Sequence, residues 1–314
     1  MKNINIVFMG TPVFAKNILE ALVETGYNIV LVVSQEDKEK DRKGNIVMTP
    51  VKKYAIEQNL KVLQCHKIKD EYEQILKYKP DLIITCAYGQ IIPEELINYP
   101  KYSAINVHGS LLPKYRGGAP IHHAIMDGET KTGITIMYMS KQMDAGDIIS
   151  QKEIPIEEDD NLSSLYNKLS YLGRDLLLDT LPKIINKTNQ RIKQDETKVT
   201  YAYNIKKEEE QLDFSNQALQ VHNQIRGLSD IPGAYFTLNN KRIKVFASTI
   251  TSKDREGEIG KIVDITKGGI YVNCKDKQIS LTKIQIPGKK VCNIKEFVNG
   301  ININDYKNKI IGKN

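Results

Sequence analysis

Short apolar runs alternate with amphipathic stretches along the first half of the chain. Residues 4–9 are apolar and lead into Gly10-Thr11-Pro12, and residues 13–22 then repeat apolar positions at helical spacing. This pattern predicts a strand, a turn and a helix. Further apolar runs predict strands at residues 27–33, 80–87, 104–108 and 134–139. Strands that alternate with helices favour an α/β fold with a doubly wound, mainly parallel sheet, which binds ligands beyond the carboxyl ends of its strands.

Helical spacing predicts three more helices in this half. Residues 71–78 and 120–126 are expected to form short helices, the second with Pro120 in its first turn. After Asp160-Asn161, leucines recur at 162, 165, 169, 172 and 176. This spacing predicts a long amphipathic helix that closes the first domain.

The pattern changes in the second half of the chain. Residues 187–200 are polar and have no apolar period, which predicts a linker. A helix is expected at 212–226, and five strands then follow closely, at 234–238, 243–249, 257–265, 269–274 and 279–286. Five short strands favour a small OB-like β-barrel, the oligonucleotide-binding type. We therefore predict a first domain over 1–188, a linker over 189–206 and a barrel domain over 207–314.

The charge is unevenly distributed between these parts. The chain has a formal net charge of +7, yet residues 1–205 contain 26 Lys and Arg against 26 Asp and Glu, whereas residues 206–314 contain 19 against 12. A basic module attached to a neutral one suggests a polyanionic partner, because attraction to phosphates is long-ranged and independent of sequence. A solvated, lysine-rich surface explains the same counts equally well.

Composition argues against several classes of protein. The 314 residues are 40% hydrophobic, enough for a substantial core. Cys65, Cys86, Cys274 and Cys292 form no Cys-x-x-Cys pair and lie near no histidine cluster, which argues against a disulfide framework or a structural zinc. The first apolar run is too short for a signal peptide, and no stretch approaches the roughly 18 apolar residues of a membrane span. We expect a globular, cytoplasmic protein that contains no metal.

Polar side chains converge at the end of the strand predicted over 104–108. Side chains alternate along a strand, so Asn106 and His108 share one face, and Gly109 and Pro113 end the run. Asp144, in the turn after the strand at 134–139, could enter the same cleft. An amide, an imidazole and a carboxylate without a serine or cysteine nucleophile suit direct acyl transfer between two bound molecules. Taken singly, an Asn-x-His in a strand and an Asp in a turn more often serve structure.

Nucleotide-binding motifs are absent, whereas one long polar loop is present. The first turn has one glycine, Gly10, where a dinucleotide fingerprint needs three, and no Walker-type sequence occurs.

Residues 34–49 form a polar loop in which Arg42, Lys43 and Gly44 could meet phosphates. A mobile loop of mixed charge explains the same sequence equally well.

Four motifs in order resemble the formyltransferases that use 10-formyltetrahydrofolate. They are GTPVFA at residues 10–15, AYGQIIP at 87–93, NVHGSLLPKYRG at 106–117 and MDAGD at 143–147. The second half resembles the carboxyl-terminal domain of the family members that act on initiator methionyl-tRNA. That resemblance rests on TYA at 200–202, VHNQIRG at 221–227, IPGAY at 231–235 and EFVNG at 296–300.

The resemblance implies a formyltransferase catalytic domain, a tRNA-binding domain, and formyl transfer from 10-formyltetrahydrofolate to the methionine amino group of initiator methionyl-tRNA. Asn106 and His108 would stabilise the oxyanion, and Asp144 would orient or charge His108 and assist proton removal. The implied folate-binding residues are Ser110, Leu111, Leu112, Pro113, Tyr88, Gly89 and Gln90. The implied tRNA-binding residues are Arg42, Lys43, Lys206, Lys207, Lys289 and Lys290.

Two other functions fit parts of the sequence. An amino-sugar formyltransferase would use the same chemistry and can also carry a second, barrel-like domain. A non-catalytic folate-binding or RNA-binding protein would show no turnover. We expect a monomer, since that state leaves both domains free for one tRNA.

Overall fold

The computed structural model of the chain describes residues 4–38, 44–300 and 303–312, and its contacts divide into two compact units. Unit 1 comprises Met1–Pro120, Lys131–Pro155 and Tyr166–Tyr203. Unit 2 comprises Ile121–Thr130, Ile156–Leu165 and Asn204–Asn314. Each unit has its own sheet and its own buried apolar residues.

A seven-stranded sheet forms the centre of unit 1. Its strands are β1 (Ile6–Gly10), β2 (Ile29–Ser34), β3 (Val62–Gln64), β4 (Leu82–Cys86), β5 (Ala104–His108), β6 (Lys131–Tyr138) and β7 (Ile148–Pro155). Their order in the sheet is β3-β2-β1-β4-β5-β6-β7. The first five are parallel, and β6 and β7 join antiparallel, which confirms the predicted mainly parallel sheet.

Helices α1 (Val13–Glu24), α2 (Pro50–Glu57), α3 (Ile68–Glu71), α4 (Glu73–Leu76) and α5 (Glu94–Asn98) connect the first five strands. Helix α6 (Pro120–Met126) lies between β5 and β6 in the chain and belongs to unit 2 from Ile121 onward. Helix α7 (Leu162–Ile185) follows β7 and belongs to unit 1 from Tyr166 onward. Every residue of β1 and β4 is buried, as expected of strands covered on both faces. Helix α1 buries a stripe at helical spacing, including Phe14, Ile18 and Leu22.

The apolar pattern located most of these elements but missed the short or half-exposed ones. The helix predicted at 71–78 is instead the two short helices α3 and α4, on either side of Tyr72. Strand β3 consists of three half-buried residues, and most residues in the carboxyl-terminal half of β7 are exposed. Neither strand has the continuous apolar run by which the buried strands were identified.

Unit 2 contains an antiparallel sheet. Its strands are β8 (Ala234–Leu238), β9 (Lys241–Asp254), β10 (Ile262–Thr266), β11 (Gly269–Asn273), β12 (Lys277–Gln285) and β13 (Cys292–Asn293). The order is β10-β11-β12-β9-β8, with β13 paired to β12. Between the described residues no pairing joins β10 to β8, so this sheet is open and the predicted OB-like barrel is not confirmed.

Helices cover the apolar face of the open sheet. They are α8 (Ala218–Leu228) and α9 (Ile294–Val298), the first starting later than the helix predicted at 212–226. Val221 and Ile225 of α8 and Phe297 of α9 pack in one buried cluster with strand residues such as Val245 and Leu281. Because these helices bury the apolar face, the strands need not curl into a closed cylinder to form a core. In the described part of the chain, no helix is long and apolar enough to cross a membrane.

Candidate active site

The structure brings Asn106, His108 and Asp144 together at the carboxyl end of β5. Asn106 Nδ2 lies 3.5 Å from Asp144 Oδ1, and His108 Nδ1 lies 3.7 Å from Asp144 Oδ2. Ile105 and Val107, which alternate with them, are buried. Strand β5 pairs in parallel with β4 and antiparallel with β6, and the loop after β6 carries Asp144. The carboxylate therefore meets both side chains of the neighbouring strand.

His108 is held by the backbone of the turn that follows β5. The side chain is buried, and its Nε2 lies 2.9 Å from the carbonyl oxygen of Tyr115. Because a carbonyl oxygen only accepts, Nε2 carries the hydrogen of this bond. The nitrogen that faces Asp144 is therefore Nδ1, and protonation there would produce an imidazolium beside a carboxylate.

Asp144 adopts a backbone conformation that L-residues rarely use. Its φ is +52°, in the left-handed region, and Gly146 lies two residues further on. A Cβ at Gly146 would overlap the carbonyl oxygen of Tyr138, so this turn passes against the end of β6. The N–H of Gly117 donates to Asp144 Oδ2 at 2.8 Å. Because a backbone N–H only donates, this oxygen is the acceptor of that bond, and the same oxygen faces His108.

Thr85, at the end of β4, fixes the orientation of the Asn106 amide. Its hydroxyl lies 2.9 Å from Asn106 Oδ1. With Oδ1 accepting from Thr85, Nδ2 points to Asp144 and supplies the donors of the site. Thr85 is not among the site residues predicted from the sequence, although the parallel pairing of β4 and β5 places it beside Asn106 in register.

The first group of predicted folate-binding residues forms a tightly bonded turn. Ser110 is fully buried, and its hydroxyl donates to the Lys114 carbonyl at 2.7 Å. Leu112 is buried with Met137 and Ile148. Leu111 and Pro113 are half-buried. Ser110 is therefore bonded within the turn after β5, and Leu112 packs that turn against β6 and β7.

The second group lines a cavity of about 580 Å³ at the carboxyl ends of β1 and β4. Tyr88, Gly89 and Gln90 contribute to it, together with Thr11, Pro12, Gln35, Lys38, His66, Lys67 and Ala87. Burial raises the pKa of the Tyr88 phenol, whose oxygen has no hydrogen-bond partner among the described residues. Gln90 Oε1 accepts from the N–H of Ile68 at 2.8 Å. Gly89 is exposed at the rim and has a φ of +91°, a conformation that glycine adopts readily.

The predicted tRNA-binding residues have different outcomes. Lys206, Lys207, Lys289 and Lys290 are exposed side chains of unit 2. Arg42 and Lys43 lie outside the described residues. Asp37 joins the two described ends of the loop that contains these residues. Its carboxylate accepts from the Thr49 N–H at 3.0 Å and pairs with Lys52. Burial works to raise the pKa of Asp37, but bonds from Lys52, Thr49 and Gln64 outweigh it and hold the pKa below its usual value.

Family comparisons cover both parts of the chain. The model described as "Formyl transferase" matches residues 2–181, and that described as "Formyl transferase, C-terminal domain" matches residues 204–302. The chain is 48% identical to the methionyl-tRNA formyltransferase of Staphylococcus epidermidis over 299 residues, covering 94% of this chain and 96% of the relative. It is 48% identical to that of Bacillus subtilis over 301 residues, covering 95% of each chain.

A solved structure agrees with the fold. The N-formyltransferase from Helicobacter canadensis, in complex with folinic acid and dTDP-3-aminofucose, superimposes with a TM-score of 0.66. The alignment covers 88% of this chain and 99% of that chain at 22% sequence identity, so it supports the fold alone. With both family models matched and near-half identity over almost the whole length, the chain belongs to the methionyl-tRNA formyltransferase family.

Proposed function

We propose that this chain transfers the formyl group of 10-formyltetrahydrofolate to the amino group of methionine on initiator methionyl-tRNA, for translation initiation. The observation that carries the proposal is the convergence of Asn106, His108 and Asp144 at one strand end, in a chain of this family. The donor is a co-substrate that supplies an activated formyl group. The three side chains bind and polarise that group while the amine attacks it.

In this proposal Asn106 and His108 stabilise negative charge on the formyl oxygen. Thr85 orients the amide so that Asn106 Nδ2 is a donor. The Tyr115 carbonyl occupies His108 Nε2, so Nδ1 is the nitrogen available to hold a proton next to Asp144. Donors fixed before the reaction stabilise an oxyanion without reorganising, and removing one typically costs about 100-fold to 1,000-fold in rate.

Asp144 orients His108, stabilises positive charge on its ring as that charge develops, and helps remove the proton of the attacking amine, directly or through water. A free α-amino group titrates near 7.7 to 8.0, and the neighbouring ester lowers that value, so only modest base assistance is needed. The new bond joins the amine nitrogen to the formyl carbon, and the bond from that carbon to N10 of the folate breaks. The amine proton balances the reaction by replacing the formyl group on N10.

Substrate binding completes the proposal. The cavity lined by Tyr88, Gly89 and Gln90 accommodates the folate ring near the ends of β1 and β4, with Ser110 to Pro113 shaping the turn beside the catalytic groups. Unit 2 is an oligonucleotide-binding module whose exposed lysines attract the tRNA backbone, and Arg42 and Lys43 meet the acceptor end. The protein acts as a monomer in the cytoplasm.

The test is formyl transfer by the unmodified protein to charged initiator tRNA, with a nucleotide-linked amino sugar as the competing acceptor. We expect formyl-methionyl-tRNA to form only with the folate donor present, and no formylated sugar. Transfer to the sugar alone would support the amino-sugar function instead. Binding of tRNA or folate without turnover of either acceptor would indicate a non-catalytic protein.

A further inference from the structure

A charged side chain lies completely buried beside the catalytic groups. The Arg116 side chain has no exposed surface, and its guanidinium is bonded to two residues of the segment 189–203. Nε and Nη2 donate to Gln194 Oε1 at 3.0 and 2.9 Å, and Nη2 donates to Glu196 Oε1 at 2.8 Å. Burying a charge is costly unless it is paired and hydrogen-bonded, and here both conditions are met. Arg116 also lowers the pKa of the Glu196 carboxyl.

The Gln194 amide is bonded at every position. Its Oε1 accepts from Arg116, which can only donate, so the atom facing the guanidinium must be the oxygen. Its Nε2 donates to the carbonyl of Asp144 at 2.8 Å and to that of Gly146 at 2.8 Å. Arg116 therefore fixes the direction of the amide, and the amide holds two carbonyls of the turn that carries the Asp144 carboxylate.

The backbone on either side of Arg116 touches the catalytic side chains directly. The Tyr115 carbonyl accepts from His108, and the Gly117 N–H donates to Asp144. The Arg116 backbone also pairs with the segment 189–203. Its N–H donates to the Thr200 carbonyl at 2.9 Å, and its carbonyl accepts from the Ala202 N–H at 2.8 Å. One chain segment thus anchors the partners of both His108 and Asp144.

From this network we infer that Gln194, whose amide is fixed by hydrogen bonds from Arg116, is a positioning residue that orients the Asp144 carboxylate toward His108. The inference rests on the proposed function of Asp144. The left-handed φ of Asp144 makes such support necessary, because this conformation persists only where surrounding contacts fix it. Gln194 reaches Asp144 through its backbone carbonyl and not through its carboxylate, so its contribution is to geometry.

The sharpest test is the Gln194→Glu variant. A glutamate has nearly the same shape and still accepts from Arg116, now as a charged pair, but it cannot donate to the Asp144 and Gly146 carbonyls. We expect the unfolding temperature to be retained while kcat falls about 10-fold to 100-fold and KM changes less than threefold. Gln190→Glu is the matched control, because Gln190 is an exposed residue of the same segment and the charge change is the same.

A second measurement separates positioning from general structural support. In an Asp144→Asn background, Gln194→Glu should lower kcat less than threefold, because there is no carboxylate left to aim. The inference is overturned if Gln194→Glu keeps kcat within twofold of the unmodified enzyme, or if its effect is the same in both backgrounds. If Gln194→Glu does not fold, Gln194→Asn replaces it, since a side chain one methylene shorter cannot reach both carbonyls. An unmodified protein without formyl transfer would instead refute the proposed function.

Discussion

Asp144 Oδ2 lies 3.7 Å from His108 Nδ1 and 2.8 Å from the backbone nitrogen of Gly117. The shorter contact is to a neutral donor that is present throughout the reaction, so it holds the carboxylate in place. The longer contact leaves room to shorten when His108 gains a proton. In the proposed mechanism the pair is thus prepared to stabilise an imidazolium that develops as charge moves onto the formyl oxygen.

Substituting Asp144 by asparagine tests this pairing. The Asp144→Asn change preserves the shape of the side chain, but a neutral amide cannot stabilise an imidazolium, so we expect kcat to fall by about 100-fold to 10,000-fold. The measurement is formyl transfer to charged initiator tRNA. Asp147→Asn is the control, since Asp147 lies in the same turn as Asp144 but pairs with the exposed Arg191. The Asp147→Asn enzyme should retain kcat within about threefold. An Asp144→Asn enzyme with normal kcat would contradict the assigned mechanism.

The Thr85 hydroxyl offers a second, smaller perturbation. Thr85→Val is close in shape but removes the donor to Asn106 Oδ1, which frees the amide to rotate. We expect kcat to fall about threefold to 30-fold, whereas Asn106→Ala, which removes the oxyanion donor itself, should cost about 100-fold to 1,000-fold. Single-turnover rates measure both effects at the chemical step. Equal losses in the two variants would show that Thr85 acts other than by orienting the amide.

The turn geometry predicts a strong effect at Gly146. A Cβ there would overlap the Tyr138 carbonyl, so Gly146→Ala must displace the turn that carries Asp144. We expect at least a 10-fold loss of kcat, with folate affinity changed less, because a displacement near 1 Å can cost about 100-fold in rate. Gly300→Ala is the control, since its nearest contact to an added Cβ is an ordinary 3.8 Å. Unchanged kcat in Gly146→Ala would show that the turn adapts without moving the carboxylate.

Local patterns predicted the part of the site that lies on one strand and its neighbouring turn. Alternation along β5 predicts that Asn106 and His108 share a face, and the turn after the strand predicted at 134–139 suggests Asp144 as the third member. Arg116 and Gln194 escaped this reasoning because 78 residues separate them. A polar segment without apolar periodicity predicts a linker; in the structure residues 192–202 belong to unit 1 and form long-range hydrogen bonds with other residues of that unit.

Local sequence patterns also do not determine whether the second sheet closes into a barrel. The apolar pattern predicts five strands over residues 234–286, and the structure has five there, β8 to β12, paired antiparallel. Whether such a sheet closes depends on what buries its apolar face. That choice rests on tertiary contacts of α8 and α9, such as Val221 and Phe297, which neither strand spacing nor composition reveals.

The proposed tRNA contacts predict a salt-dependent affinity. Each phosphate neutralised by a lysine contributes close to one unit to the slope of log K against log salt. We expect Lys289→Ala and Lys290→Ala each to weaken tRNA binding and to reduce that slope by about 0.7 to 0.9. Arg42→Ala should raise the KM for tRNA, whereas the affinity for folate stays constant. A slope that is the same in the lysine variants as in the unmodified protein would remove these residues from the interface.

The half-buried imidazole of His122 predicts how stability depends on pH. Burial, with a smaller contribution from the charge of His123, lowers the pKa of His122 to about 4, against an ordinary value of 6.5. Between these values the unfolded chain binds a proton on His122 that the folded state does not bind, so the free energy of unfolding falls as pH drops from 6.5 toward 4. At pH 5 the shift corresponds to about 2 kcal/mol of lost stability relative to pH 7.5.

Replacing His122 by glutamine removes this titration and isolates its contribution. The Tm of the variant should decline less than that of the unmodified protein between pH 7.5 and pH 5, by roughly 4 to 8 °C at about 2 to 4 °C per kcal/mol. Because all other titrating groups are shared, the difference between the two declines measures His122 alone, whatever the variant does to Tm at neutral pH. Parallel declines in the two proteins would show that the His122 imidazole accepts its proton in the folded state, and thus that burial does not exclude the charge.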